Sequence, residues 1–204
     1  VANMGYTYQN CINLTGSPVC GPNVTDMWST YQNCYNLLGS PVCGDKVNYM
    51  YFAYSGCCNL TGSPVCGNSV TVMYNAYTNC YNLTGSPICG PNITSLTYTY
   101  KNCYNLYGDM YVYSDNVSSA ANCFKGRNTS RQLSIFVNFG TNSYNSFISD
   151  NITGSNLTWT NAGDGSIYCW NDTANIVIFD MQITSMASAF INDKTITKAA
   201  CGPN

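Results

Sequence analysis

The chain has 204 residues, and only 8% of them are charged, against roughly 25% in a typical soluble domain. Nine Asp, no Glu and seven Lys or Arg give a net charge of −2, which leaves no basic stripe to neutralise nucleic-acid phosphates. No apolar run approaches the roughly 20 residues of a transmembrane helix. Nucleic-acid binding and membrane spanning are therefore not expected.

A repeat of 23 residues runs through the first half of the chain. The segment NCINLTGSPVCG at 10–21 returns as NCYNLLGSPVCG at 33–44, GCCNLTGSPVCG at 56–67 and NCYNLTGSPICG at 79–90. A fifth copy begins as NCYNL at 102–106 and then diverges. The abundance of Asn, Thr, Tyr and Gly favours short strands and turns over long helices.

Apolar and aromatic side chains occupy fixed columns of this repeat. The columns are Cys11, Cys34, Cys57, Cys80 and Cys103; Leu14, Leu37, Leu60, Leu83 and Leu106; Cys20, Cys43, Cys66 and Cys89; Val24, Val47, Val70 and Ile93; Met4, Met27, Met50, Met73 and Leu96; and Tyr8, Tyr31, Tyr54, Tyr77 and Tyr100. A unit of this length cannot bury its own apolar side, whereas stacked copies place each side chain against its equivalent one turn away. The sequence therefore predicts a solenoid.

Each turn is expected to contain a short strand in the LTGSPVCG segment, with successive strands about 4.8 Å apart in a parallel sheet. Pro18, Pro41 and Pro64 cannot donate to this ladder, so the strand should begin or end near them. The apolar residues between 24 and 37 recur every three or four positions, which favours a short helix or 3₁₀ turn. The predicted fold class is α/β and β-rich, a parallel solenoid with short strands and short helical or 3₁₀ returns.

The pattern CxNLTGSPVCGxxVTxMxxxYxNC resembles the BspA-like leucine-rich repeats, whose turns have the same length and carry a Cys before x-Asn-Leu. The match covers 1–106 and is partial elsewhere. It departs from the family by placing Ser-Pro where aliphatic strand residues are expected and Tyr where Phe is common. Because that family occurs on bacterial surfaces and in related phage virion proteins, the resemblance implies an extracellular recognition or scaffold role, and it implies no chemistry.

The register is expected to fail from Tyr107 to about Gln182, so we divide the chain into 1–106, 107–182 and 183–204. Short β-like runs persist in the middle part, and we interpret them as longer variant turns with hairpin insertions. These runs are LSIFV at 133–137, NLTWT at 156–160, SIYCW at 166–170 and NIVIFD at 175–180. The spacing of Tyr144 and Phe147 suits a short helix.

The two ends of the chain complete one another as a repeat. Written end to start they read ACGPN-VANMGYTYQNC, the same phrase as VCGPN-VTDMWSTYQNC at 19–34. Solenoids in solution need polar caps, and neither end resembles one. We expect this segment to continue head to tail, either covalently or through an open interface between copies; a trimmed chain is the alternative. The residues expected at the join are Val1, Met4, Tyr8, Ile183, Met186, Phe190 and Cys201.

Thirteen cysteines are present without any His or CxxC motif, so a zinc site is not expected. We interpret the Cys11 column as small buried side chains. Neighbours in the Cys20 column fall within the Cα separation that a disulfide tolerates, so that column stays open between thiols and disulfides. No cofactor is expected.

Asn-x-Ser/Thr sequons recur because NLT, NVT and NIT belong to the repeat phrase. They are candidate glycosylation sites in a secreted eukaryotic protein, and the alternative is repeat composition alone. The sequons lie at Asn13, Asn23, Asn59, Asn82, Asn92, Asn116, Asn128, Asn151, Asn156 and Asn171.

The sequence has few candidate catalytic groups, because the chain has no His, no Glu, no GxSxG motif and no P-loop. Asp109 with Asp115, or Asp164 with Asp172, would approach one another only if the variant turns brought them together. Solvated turn carboxylates are the commoner interpretation, and we predict that the protein is not an enzyme.

Two sets of aromatic residues are candidates for a recognition face. Tyr35, Tyr81 and Tyr104 lie beside the Cys11 column, and Trp28, Tyr51 and Tyr74 follow the Met column directly. Rigid rings among Asn and Ser suit carbohydrate or protein recognition; the alternative is that they only cover the stacked backbone.

The sequence thus predicts a non-enzymatic structural module of an extracellular filament, fibre or virion appendage, with copies of itself or adjoining repeat modules as partners. The alternative is a bacterial cell-surface or phage adhesin that binds a glycan or host protein through an aromatic repeat face.

Overall fold

The computed structural model describes residues 1–114, 116–128, 130–131 and 133–137, together with the backbone of three further strands between 158 and 180. Within these residues the chain forms six strands and no helix. The strands are β1 (Ile88–Cys89), β2 (Gly108–Val112), β3 (Leu133–Val137), β4 (Thr158–Asn161), β5 (Ile167–Asn171) and β6 (Ile176–Asp180). Of the predicted fold class, the parallel sheet is confirmed as a small sheet that includes β1, β2 and β3.

The six strands form one mixed sheet in the order β1-β2-β3-β6-β5-β4. β1, β2, β3 and β6 are parallel neighbours, so that Met110 lies opposite Ile135 and Ile135 opposite Ile178. β4 and β5 pair antiparallel, and β5 pairs antiparallel with β6. The four runs predicted as strands are confirmed, and the β4–β5 pair agrees with the predicted hairpin insertion. The helix expected at Tyr144 and Phe147 lies outside the described residues.

Backbone hydrogen bonds hold successive repeats against one another. The N–H of Tyr6 donates to the carbonyl oxygen of Trp28 at 2.8 Å, and the N–H of Asn10 donates to that of Gln32 at 2.8 Å. The same bonds recur at the equivalent positions of the following repeats. Isolated parallel bridges also form one column at Asn3, Asp26, Tyr49, Val72, Ser95 and Ser119. Each repeat therefore lies on the next one in register.

The helical or 3₁₀ return predicted between 24 and 37 is wrong, because this stretch is a run of β-turns. The N–H of Thr30 donates to the carbonyl oxygen of Met27 at 3.2 Å, which is the three-residue bond of a β-turn. Ser29 and Asn33 then have φ of 51° and 62°. A right-handed helix cannot continue through left-handed residues, so their N–H groups bond to the neighbouring repeat instead.

The strand predicted in the LTGSPVCG segment is also corrected. Among the described repeats it appears as β1 alone, which pairs with Tyr111 and Val112 of β2, preceded by a single bridge from Val65 to Ile88. Pro64 accepts the N–H of Ile88 at 3.2 Å but has no N–H to donate. The Ser-Pro of each repeat therefore interrupts the ladder, and the bridges form at the Asn3 column.

The predicted columns form the core. From the second repeat onward their Leu, Val, Met and Tyr members are buried; Leu60, Met73 and Cys80 are 0% exposed. Cys11 is exposed, contrary to the prediction for its column, because described repeats cover it on one side only. Buried apolar area of this kind is the main stabilising contribution to a stack of repeats that cannot fold singly.

Stacking continues past the point where the register was expected to fail. The N–H of Ser118 donates to the carbonyl oxygen of Thr94 at 2.8 Å, and the rings of Tyr100 and Phe124 stack with centroids 6.1 Å apart. These pairs are separated by 118 − 94 = 24 and 124 − 100 = 24 residues. The repeat after Leu106 thus has one inserted residue and keeps its place in the stack, because β2 pairs with β1 and β3 where the SPVCG phrase is missing.

The structure contains no helix that is long and apolar enough to cross a membrane in the part of the chain that it describes.

Candidate functional site

The exposed rings begin at the column that follows the buried methionines. Met27 is 0% exposed, whereas the adjacent Trp28 is 44% exposed. The left-handed turn at Ser29 follows directly, so the chain reverses with the methionine side chain inside and the indole outside. Tyr51 and Tyr74 take the same place in the next two repeats.

These rings join others into one surface, which we call the aromatic face. It consists of Tyr6, Trp28, Tyr49, Tyr51, Phe52, Tyr74 and Tyr98. The centroid of the Trp28 ring lies 5.3 Å from that of Tyr51, and the centroids of Tyr51 and Tyr74 lie 6.3 Å apart. Neighbouring planes are tilted by 31° to 86°. Neighbouring rings are therefore in direct contact, packed at tilted or edge-on angles along the surface.

A groove of about 590 Å³ lies within the aromatic face. Its lining residues are Asp26, Trp28, Tyr49, Tyr51, Phe52 and Tyr74. Tyr49 joins Tyr51 across a centroid distance of 6.1 Å, because alternate residues of an extended segment point to the same side. This volume is in the range of small-molecule sites, which are mostly apolar with a few polar groups.

Among the described residues of this lining, Asp26 has the one charged side chain. Its Oδ1 accepts the backbone N–H of Trp28 at 2.8 Å, which fixes the carboxylate beside the indole. The groove is therefore a set of aromatic walls with one anionic group at a defined position.

The other predicted aromatic set is exposed but not assembled. Tyr35, Tyr81 and Tyr104 are 45%, 47% and 53% exposed, and within the described residues none of their rings contacts another aromatic ring. Cys58 occupies the position between Tyr35 and Tyr81 in this column, where its thiol donates to the Tyr35 carbonyl at 3.5 Å. The predicted recognition residues therefore lie in two groups, of which Trp28, Tyr51 and Tyr74 border the groove of the aromatic face.

Five residues of the groove and the aromatic face were not predicted from the sequence. Asp26 and Tyr49 belong to the column of parallel bridges, which has no recurring apolar residue. Tyr6, Phe52 and Tyr98 occupy the left-handed turn position, where a bulky residue is uncommon. The alternation of Tyr49 with Tyr51 was the one available signal.

The Cys11 column has a structural role in the repeats that follow the first. The thiol of Cys57 donates to the carbonyl oxygen of Tyr31 at 2.9 Å, and that of Cys80 donates to Tyr54 at 3.0 Å. Burial raises the pKa of both thiols, so they remain neutral donors and poor nucleophiles.

The Cys20 column contains free thiols throughout. Burial raises the pKa of Cys43 to about 12. Interaction between the Cys66 and Cys89 thiols lowers the pKa of Cys66 and raises that of Cys89. Within the described residues no group of three or more His, Cys, Asp or Glu is placed to hold a metal ion.

Three of the seven residues expected at the end-to-end join are described. Val1 is 93% exposed, Met4 is buried at 9% and Tyr8 packs against the core. Ile183, Met186, Phe190 and Cys201 lie outside the described residues. The structure thus places Met4 and Tyr8 in their predicted columns, with the ring of Tyr8 stacked on that of Tyr31 at 5.2 Å.

Most of the described sequons lie at the surface. Asn13, Asn23, Asn82, Asn92 and Asn116 are exposed, and Asn59 and Asn128 are half-buried. Asn171 falls in β5, and Asn151 and Asn156 lie outside the described residues.

The carboxylate pairs considered for catalysis are not tested by the described residues. Asp109 lies in β2, and Asp115, Asp164 and Asp172 lie outside the described part of the chain.

Comparison of the chain with known protein families, with characterised proteins and with solved structures gave no match.

Proposed function

We propose that this chain is a leucine-rich-repeat-like solenoid that serves, without catalysis, as a structural module of an extracellular filament, fibre or virion appendage. The resemblance of its repeat to the BspA-like pattern supports the extracellular setting. The hydrogen bonds from each repeat to the next support a role in building an extended assembly, because each further repeat makes the same contacts.

The hydrogen bonds between successive repeats carry this proposal, because the carbonyl groups along one edge of each repeat accept the N–H groups of the repeat before it. The corresponding edge of the first repeat is called the carbonyl edge. It consists of the carbonyl groups of Asn3, Gly5, Thr7 and Gln9. The equivalent group of the second repeat, Trp28 O, accepts the N–H of Tyr6 at 2.8 Å. Within the described residues no N–H donates to the four carbonyls of this edge. They correspond to the carbonyls of Asp26, Trp28, Thr30 and Gln32, which accept N–H groups of the first repeat.

If copies of the chain assemble end to end, the particles should lengthen as the protein concentration rises. Electron microscopy and sedimentation of the 204-residue protein should show end-to-end particles that lengthen with concentration. Tyr8→Lys should abolish them, because it places a charge where the next ring of the tyrosine stack would lie.

The matched control is Tyr104→Lys, which changes a 53% exposed ring away from the carbonyl edge and should leave assembly intact. A monodisperse monomer at all concentrations would contradict assembly between copies. If the natural protein, after denaturation and reduction, has a mass near that of this sequence, covalent continuation into further repeats would be contradicted.

We propose a surface adhesin for a glycan or host protein as the second candidate function, and the aromatic groove supports it. Exposed apolar surface that is shaped into a groove commonly marks an interaction site. A structural module alone would need no groove lined by Trp28, Tyr51 and Tyr74.

Binding to a glycan array and to host-surface protein fractions tests the adhesin proposal. We expect saturable binding that Trp28→Ala weakens and Tyr81→Ala leaves unchanged, since Tyr81 lies outside the groove. Absence of saturable binding, or equal loss in both variants, would contradict recognition by this groove.

A further inference from the structure

We infer that the groove of the aromatic face binds a quaternary ammonium group, the cationic part of choline-like molecules. This inference deepens the adhesin proposal and rests on it, because it names the chemistry that the same surface would recognise. It is carried by the tilted rings and by the position of Asp26.

The walls of the groove suit a cation. Trp28 and Tyr51 have centroids 5.3 Å apart with planes tilted by 34°, and Phe52 meets Tyr74 nearly edge-on at 5.6 Å and 74°. These packed pairs belong to one groove, because all four rings are part of its lining. A cation within about 6 Å of a ring centroid is attracted by the ring quadrupole, and Trp is the strongest partner.

Asp26 gives the groove its preference for positive charge. Its carboxylate is the one charged group that the described part of the chain contributes to the lining, and its Oδ1 accepts the Trp28 N–H at 2.8 Å. The Trp28 N–H bonds to one oxygen of the Asp26 carboxylate. The carboxylate is therefore held in place, and its negative charge can interact with a ligand without a large rearrangement.

The aromatic character of the lining selects among cations. A primary ammonium has three N–H donors that each need an acceptor, whereas the described lining consists of aromatic residues and one carboxylate, which is bonded through Oδ1. A quaternary ammonium has no N–H and carries its charge on methyl groups that pack against rings. Desolvation of the ligand therefore leaves no unsatisfied donor.

An NMR titration of the full chain with choline chloride tests the inference, with the neutral isostere 3,3-dimethyl-1-butanol as the matched ligand. We expect saturable shifts of the Trp28, Tyr51 and Tyr74 ring signals with choline, and binding of the isostere weaker by about tenfold. Asp26→Asn should weaken choline by a similar factor. Asp45→Asn, at an exposed position outside the groove, should leave choline binding unchanged.

The inference is overturned if choline and its isostere bind equally, if Asp26→Asn binds choline as well as the native protein does, or if choline produces no saturable shift. Trp28→Phe should retain choline binding better than Trp28→Ala, and equal binding by these two variants would also contradict it. Glycan binding without choline binding would leave the adhesin proposal and remove this inference. Choline binding without any glycan or host-protein ligand would support this inference and contradict the adhesin proposal.

Discussion

Replacing Tyr54 by alanine is expected to lower the free energy of unfolding by about 3–5 kcal/mol. Tyr54 is 0% exposed, and its ring stacks on Tyr31 at 5.3 Å and on Tyr77 at 5.7 Å, with planes within 9° and 1°. The alanine variant leaves a cavity between two repeats, and it weakens both interfaces because each repeat depends on its neighbours. Urea unfolding followed by circular dichroism measures the loss. A loss below about 1 kcal/mol would contradict the central role of this ring stack.

Phenylalanine substitutions in the same ring stack remove only the hydroxyl groups, so they measure the contribution of hydrogen bonding apart from that of packing. The Tyr54 hydroxyl donates to the Val42 carbonyl at 2.6 Å and accepts the Val42 N–H at 3.2 Å, whereas the buried Tyr77 hydroxyl has no partner within the described residues. Tyr54→Phe should therefore cost about 1–3 kcal/mol. Tyr77→Phe should cost nothing or stabilise the fold, since it removes an unsatisfied buried group. Equal losses in the two phenylalanine variants would contradict this assignment.

The core could be predicted from the sequence because its signal is periodic. Leu60, Met73 and Tyr77 recur at a fixed spacing, and a buried column needs the same kind of side chain in every repeat. The path of the backbone between the columns could not be predicted. The spacing from Val24 to Leu37 fits a helix, and the left-handed conformation that prevents one depends on hydrogen bonds to the neighbouring repeat, which local periodicity does not encode.

The candidate site was predictable only in part, for the same reason. Trp28, Tyr51 and Tyr74 form a visible column, so their common surface could be expected. Asp26 shares its column with Asn3, Tyr49, Val72 and Ser95, which have no common chemistry. Its place beside the indole follows from the turn and from the Trp28 N–H, so the anionic group of the groove had no sequence signal.

A column of glycines sets how closely the repeats approach, and Gly67 is its tightest point. A methyl group at Gly67 would lie 2.5 Å from the Gly44 carbonyl oxygen and 3.1 Å from the Cα of Asp45. Both atoms belong to the backbone of the preceding repeat, so no side chain can rotate away. Gly90 makes the same approach to Gly67, at 3.0 Å. Glycine is required here by space rather than by a left-handed φ.

Gly67→Ala is accordingly expected to lower the free energy of unfolding by about 1–3 kcal/mol, the usual cost of forcing atoms into a closely packed contact. Gly21→Ala is the matched control, because a methyl group there meets only a Val24 side-chain carbon at an ordinary 3.6 Å. That variant should be unchanged or more stable by up to about 1 kcal/mol, since alanine restricts the unfolded chain. Urea unfolding of the two variants in parallel gives the difference. Equal stability would mean that neighbouring repeats shift apart without loss, and that the Gly67 contact does not fix their separation.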